Sequence, residues 1–142
     1  MIQHIPLEKI LFLDIETVPQ AGNWEELHET DQYLWDKKTK MQRKEDFTAE
    51  DFYSERGGIM AEFGKIICIS VGILEKSEKL MIKSFSGDDE RKLLEEFGEI
   101  FNHPKLHDVI LCAHNGKEFD FPWIARRFLI NGMQPPKPFQ MF

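Results

Sequence analysis

The chain has 142 residues, 42% of them apolar and 30% charged, with a formal net charge of -7. That length holds one domain, and the composition excludes a disordered chain, a collagen-like repeat and a disulfide-stapled miniprotein. No apolar run nears the roughly 20 residues that cross a bilayer, no signal-peptide pattern opens the chain, and the acidic balance argues against holding nucleic acid by bulk attraction alone.

Residues 10–15 are predicted as a strand: Ile10, Leu11, Phe12, Leu13 and Ile15 form an apolar run too short for a helix. Residues 20–58 are polar, aromatic and mostly helical, with Trp24, Leu27 and Leu34 at roughly helical spacing. Lys37, Lys38, Lys40, Arg43 and Lys44 form a basic run inside that segment. Its acidic neighbours point to a surface helix laced with salt bridges rather than a guide for a nucleic-acid strand. Gly57, Gly58 and Gly64 then break the chain.

Residues 66–74 are nearly continuous in apolar side chains, the pattern of a strand covered on both faces. Residues 80–85 alternate more, which places them nearer an edge, and the short turn between the two implies an antiparallel pair. Ser86-Gly-Asp-Asp starts a helix whose apolar face is Leu93, Leu94, Phe97, Ile100 and Phe101. Residues 109–113 are predicted as another buried strand, parallel to one already in the sheet because a helix precedes it. Residues 120–130 form a second helix, with Pro122 in its first turn and Asn131-Gly132 as its stop. Gln134-Pro-Pro-Lys-Pro is a loop. The order is β, helical insert, β, β, α, β, α, an α/β fold on a mixed sheet.

Cys68 and Cys112 both sit in apolar runs. With no C-x-x-C spacing, they are expected to be buried free thiols of a cytoplasmic protein.

The chemistry concentrates in carboxylates. On a strand, residues i and i+2 share a face, so Asp14 and Glu16 project side by side from an apolar strand. Two adjacent carboxylates repel, and a divalent cation that prefers oxygen ligands would compensate them; a solvated or salt-bridged strand end is the structural alternative. After residues 109–113 comes His114-Asn-Gly-Lys-Glu-Phe-Asp120-Phe-Pro, a strand, a glycine-containing loop and a helix start that bears an aspartate. Taken alone, Asp120 is equally an N-cap. In open α/β sheets functional groups gather at the carboxyl ends of strands, where Asp14, Glu16 and Asp120 converge if their strands are parallel neighbours.

FLDIETVP followed by AHNGKEFDFPWIARR resembles the first two motifs of the DEDD exonuclease superfamily, and among its members the 3′–5′ exonucleases related to the proofreading domain of family-B DNA polymerases. Gly64-Lys-Ile-Ile-Cys-Ile-Ser-Val-Gly72 is similar to that family's second strand. The resemblance covers most of residues 9–132, with 20–58 as a variable insertion. It implies a ribonuclease H-like fold: three antiparallel strands, then helix, parallel strand and helix. It implies that Asp14 bridges two Mg²⁺ or Mn²⁺ ions, that Glu16 binds one and helps orient water, and that Asp120 holds the second. The substrate would be the 3′ end of single-stranded nucleic acid, DNA before RNA, with Thr17 and Asn115 near the terminal nucleotide. The family's third motif, Tyr-x-x-x-Asp or His-x-x-x-x-Asp, has no counterpart after Gln134, and Tyr33 and Tyr53 come too early to supply it. The chain is therefore expected to be a single exonuclease-like domain, 1–142, lacking its C-terminal part and weak or inactive as it stands.

Two other functions fit the residues. A haloacid dehalogenase-type phosphatase also opens with an apolar strand and an acidic pair, here Asp14-Ile-Glu16-Thr17, with Asp88-Asp89 as the later acids; Glu at the second position and the helix start at Asp88-Asp89 argue against it. A nuclease-like scaffold that binds without cleaving is the third. Trp123, Phe121 and Phe128 are candidates for base stacking or core, and Arg126 and Arg127 for phosphate contact or a solvated face. None of the five histidines shows metal-ligand spacing, and His114 lies nearest the proposed site.

Overall fold

A computed structural model describes residues 4–76 and 78–142. Four strands, β1 (Ile10–Pro19), β2 (Gly64–Leu74), β3 (Leu80–Ser86) and β4 (Ile110–Cys112), form one sheet in the order β3-β2-β1-β4. Four helices accompany it: α1 (Glu29–Thr39), α2 (Ala49–Arg56), α3 (Glu90–Glu99) and α4 (Asp120–Ile130). The element order and the mixed sheet are those of the ribonuclease H-like α/β class read from the sequence. β2 and β3 pair antiparallel, with Ile69 opposite Phe85 and Leu74 opposite Leu80. β4 runs parallel to β1, with Ile10 opposite Ile110 and Phe12 opposite Cys112. Among the described residues no helix is long and apolar enough to cross a membrane.

The chain divides into two compact units: Met1–Glu16 with Ile66–Phe142, and Thr17–Lys65. In the first, β1 alternates strictly. Leu11, Leu13 and Ile15 are buried, whereas Phe12, Asp14 and Glu16 are exposed. α3 buries Leu93, Leu94 and Phe97, the expected face, and α4 buries Trp123, Ile124, Ala125 and Phe128. Phe97 is the aromatic hub, with ring centroids 5.8 Å from Phe85, 5.3 Å from Phe101 and 5.7 Å from Phe139. Each such pair contributes about 0.5–1.5 kcal/mol beyond its buried area. Phe139, fully buried, turns the segment after Gly132 into part of the core rather than a free loop.

The second unit has its own core of Leu27, Trp35, Tyr53 and Phe63. Trp35 meets Tyr53 at 5.3 Å and Phe63 at 5.1 Å, both edge-on, and its indole N–H donates to the Ala49 carbonyl at 2.9 Å. The spacing Trp24–Leu27–Leu34 misplaced this face. Leu34 is 45% exposed and its neighbour Trp35 is 0% exposed, because α1 starts at Glu29 and is out of phase with Trp24. Thr48 and Asp51 form a capping box that starts α2.

Three further expectations need correction. The strand at 109–113 is not buried: β4 has only three residues and Ile110 is 45% exposed, since it is the sheet's edge. β2 is not covered along both faces; its burial is patchy. Both cysteines are free, but Cys68 is half-buried and Cys112 is exposed, because Cys112 lies on β4.

Candidate active site

β1 and β4 are parallel, so both present their carboxyl ends at the same rim of the sheet. The paired register ends at Phe12 and Cys112. β1 continues past it to Asp14 and Glu16, which share its exposed face with Phe12. Beyond β4 the chain turns tightly. Asn115 adopts the left-handed region at φ 53°, which asparagine tolerates better than most residues. Its carbonyl accepts the N–H groups of Glu118 (3.0 Å) and Phe119 (3.1 Å). The Gly116 carbonyl accepts the Phe121 N–H at 2.8 Å and so ties the turn to the first residues of α4. Only glycine fits there: a Cβ would lie 2.6 Å from that of Ala113 and 2.7 Å from the Phe121 ring.

This turn delivers Asp120, the first residue of α4, into the fold with 4% exposure. Its own backbone amide and that of Ile15, which lies between Asp14 and Glu16 on β1, are close enough to its carboxylate to favour the charged form. Burial pushes the Asp120 carboxyl up from the ordinary aspartate value, and the Asp14 charge adds to the rise; the two amides and His114 oppose it. The nearness of Asp120 to the backbone of Ile15 is what sequence reasoning missed, since backbone groups leave no mark in residue identity. Phe119 precedes the helix without a side-chain cap, so Asp120 is not an N-cap in the ordinary sense.

Asp120 and Asp14 are thus close enough to repel, and Glu16 stands on the same face of the strand as Asp14. Among the described residues no three His, Cys, Asp or Glu side chains gather tightly enough to hold a metal ion. His114 and Asn115 are both exposed. Thr17 falls in the second unit, where its hydroxyl donates to the Gly58 carbonyl at 2.6 Å. Asp89 caps α3 by accepting the Lys92 N–H at 3.1 Å, and Asp88 is exposed, so the acidic pair of the phosphatase alternative serves a helix start.

Phe121, Trp123 and Phe128 are buried and serve the core. Arg126 is exposed, whereas Arg127 is buried against Glu90, through Nε at 2.9 Å and Nη2 at 2.6 Å. Glu90 also accepts the Ile66 N–H (2.7 Å) and the Asn131 amide (2.9 Å). The signal for this pair lay in the sequence: Glu90 precedes Leu93 and Leu94 by three and four residues, and Arg127 follows Ile124 by three, on the buried sides of their helices.

The raised Asp120 value fixes a pH dependence. Above its folded value the carboxylate is ionised in an environment that disfavours it, a cost the unfolded chain lacks. Below the unfolded value of 3.8 both states are protonated and the cost vanishes. Asp120→Asn, which removes the charge at nearly constant volume, should therefore melt higher than the parent at neutral pH without metal, and the gap should close on acidification. A gap that widens as pH falls would refute this.

A family model of the RNase_H superfamily matches residues 51–142. No curated protein matches. A solved structure that is similar is that of the family B DNA polymerase from the hyperthermophilic archaeon Pyrobaculum calidifontis: 16% identical, with a TM-score of 0.49, over 90% of this chain and 12% of that one. The chain thus corresponds to a small fraction of the polymerase's length.

Proposed function

Because this chain belongs to the RNase H superfamily, a nuclease-type fold, we propose that it is a divalent-metal-dependent exonuclease domain that hydrolyses phosphodiester bonds at the 3′ ends of single-stranded nucleic acid, DNA in preference to RNA. The observation that carries this reading is Asp120, buried at the start of α4 beyond the carboxyl end of β4, which runs parallel to the strand that bears Asp14 and Glu16.

The donor set fits Mg²⁺ or Mn²⁺: every candidate ligand is a carboxylate oxygen, and the repulsion between Asp14 and Asp120 is what a cation would relieve. Asp14, Glu16 and Asp120 would hold a pair of such ions. When bound, these ions supply positive charge where the phosphodiester gains negative charge. The chain's own residues do the rest. The turn at Asn115 and Gly116 delivers Asp120 to the rim, and Asn115, exposed at that turn, faces the terminal nucleotide. Among the described residues no three acids converge tightly, so metal should bind weakly and turnover should be slow. The free thiols of Cys68 and Cys112 support a cytoplasmic setting.

The test follows strand polarity. With Mn²⁺, an oligonucleotide labelled at its 3′ end should lose the label as mononucleotide from the outset, while a 5′-labelled one shortens stepwise. Internal cuts at early times would overturn the assignment. The absence of a tight three-acid cluster favours one second reading, a nuclease-like module that binds without cleaving. Retained oligonucleotide binding with no cleavage at any Mn²⁺ concentration would select it.

A further inference from the structure

The basic run at 37–44 is not absorbed by the catalytic reading. It contains five bases and no acid. Part of it is locally neutralised: Lys38 bonds Glu62 at 2.9 Å, and Arg43 pairs with Asp36. Lys44 is not. Beside it, within the second unit, two adjoining clefts of 330 Å³ and 260 Å³ share Gln42, Phe52 and Arg56. Lys44 and Phe47 line one, and Met60 the other. Each alone is near the small end of ligand-sized sites, which run from about 300 to 1,000 Å³, and together they make one groove. Among the described residues neither Lys44 nor Arg56 forms an ion pair, and both are exposed.

The floor is aromatic and half-buried. Phe52 packs on Trp35 at 5.8 Å, which fixes it to the unit's core. Phe47 meets Phe52 edge-on at 6.4 Å and stands outside the cluster of Leu27, Trp35, Tyr53 and Phe63. An anchored ring with a second ring at right angles, flanked by two unpaired cations and an amide, is the recurring composition of single-strand sites. Bases stack on the aromatics and phosphates meet the cations. A peptide occupant is less well matched, since an acidic peptide would use the cations and leave the rings idle.

We propose that the groove over Phe47 and Phe52 is a binding site for single-stranded nucleic acid, with Phe47 and Phe52 stacking bases, Lys44 and Arg56 contacting phosphates and Gln42 bonding a base edge or sugar. This deepens the exonuclease reading by giving it a second hold on its substrate. Glu55, which lines the same cleft, limits the affinity.

The experiment is binding of the full chain to a fluorescein-labelled oligothymidylate about twelve nucleotides long, followed by anisotropy in EDTA so that nothing is cleaved. Phe47→Ala should weaken binding between about fivefold and a hundredfold. Lys44→Gln and Arg56→Gln, exposed changes that leave the core alone, should each weaken it several-fold and flatten the plot of log K against log salt by about 0.7. Glu55→Gln should strengthen it. Unchanged affinity and salt slope in both cation variants would overturn the proposal, as would an oligothymidylate that does not bind at all. The two readings fail separately. If Asp14-dependent cleavage is present but the groove variants bind normally, the groove is wrong and the nuclease stands. If no cleavage appears but the variants lose binding, the groove stands and the nuclease falls.

Discussion

Asp14→Ala is expected to remove Mn²⁺-dependent release of 3′ nucleotides, lowering the rate by more than about a hundredfold. That is beyond what the loss of an outer-shell partner of a metal ligand costs, about 10–100-fold. The same variant should leave the metal-free melting point almost unmoved, within the roughly 0.5 kcal/mol typical of surface changes. Asp14 is exposed, and its charge disfavours ionised Asp120 rather than holding the fold together. This separation makes Asp14 the sharper probe. Asp120 is buried, so a deletion there mixes chemistry with folding. Rates are best compared at several Mn²⁺ concentrations: a deficit that high metal rescues places Asp14 in cation binding. Parent-level cleavage by Asp14→Ala would mean that the acids at this rim are bystanders.

The second large effect concerns stability. Glu90→Ala should cost about 3–5 kcal/mol, read as a lowered urea midpoint at unchanged slope. Glu90 takes hydrogen bonds from Arg127, Asn131 and the Ile66 amide and so joins α3, α4 and β2. Deleting it takes the carboxylate away from a guanidinium that is almost wholly buried. A domain of this size holds only about 5–15 kcal/mol in total, so the variant should populate unfolded chain at moderate temperature. The double variant Glu90→Leu with Arg127→Leu should recover much of the loss, because a buried ion pair contributes little net stability over apolar side chains of similar size. Additive losses would show instead that each residue matters for its other hydrogen bonds.

What the sequence made legible follows from periodicity. The i, i+2 rule put Asp14 and Glu16 on one face of β1, and the structure shows that face exposed, with Leu11, Leu13 and Ile15 buried on the other. The i, i+4, i+7 spacing gave the buried face of α3, and Gly132, with φ at 71°, marks the end of α4. The parallel β1–β4 pair followed from the intervening helix. Illegible parts had nonlocal causes. The exposure of β4 depends on what lies beside a strand, which its own residues do not encode. In the insertion, a short 3-10 turn at Trp24–Glu26 shifted the phase and moved the core from Leu34 to Trp35. Arg127 looked like a solvated cation because its partner sits thirty-seven residues upstream. At the candidate site the acids themselves were visible, but the burial of Asp120 behind the turn that follows β4 was not.

The boundary between the two units has a consequence for changes in length. The chain leaves the first unit at Glu16 and re-enters it at Ile66, on strands that are neighbours in the sheet. Both crossings lie within regular structure, so the number of residues looped out between them does not alter the pairing that aims Asp14. Lengthening or trimming that excursion should therefore leave Asp14 and Glu16 on the same face of β1.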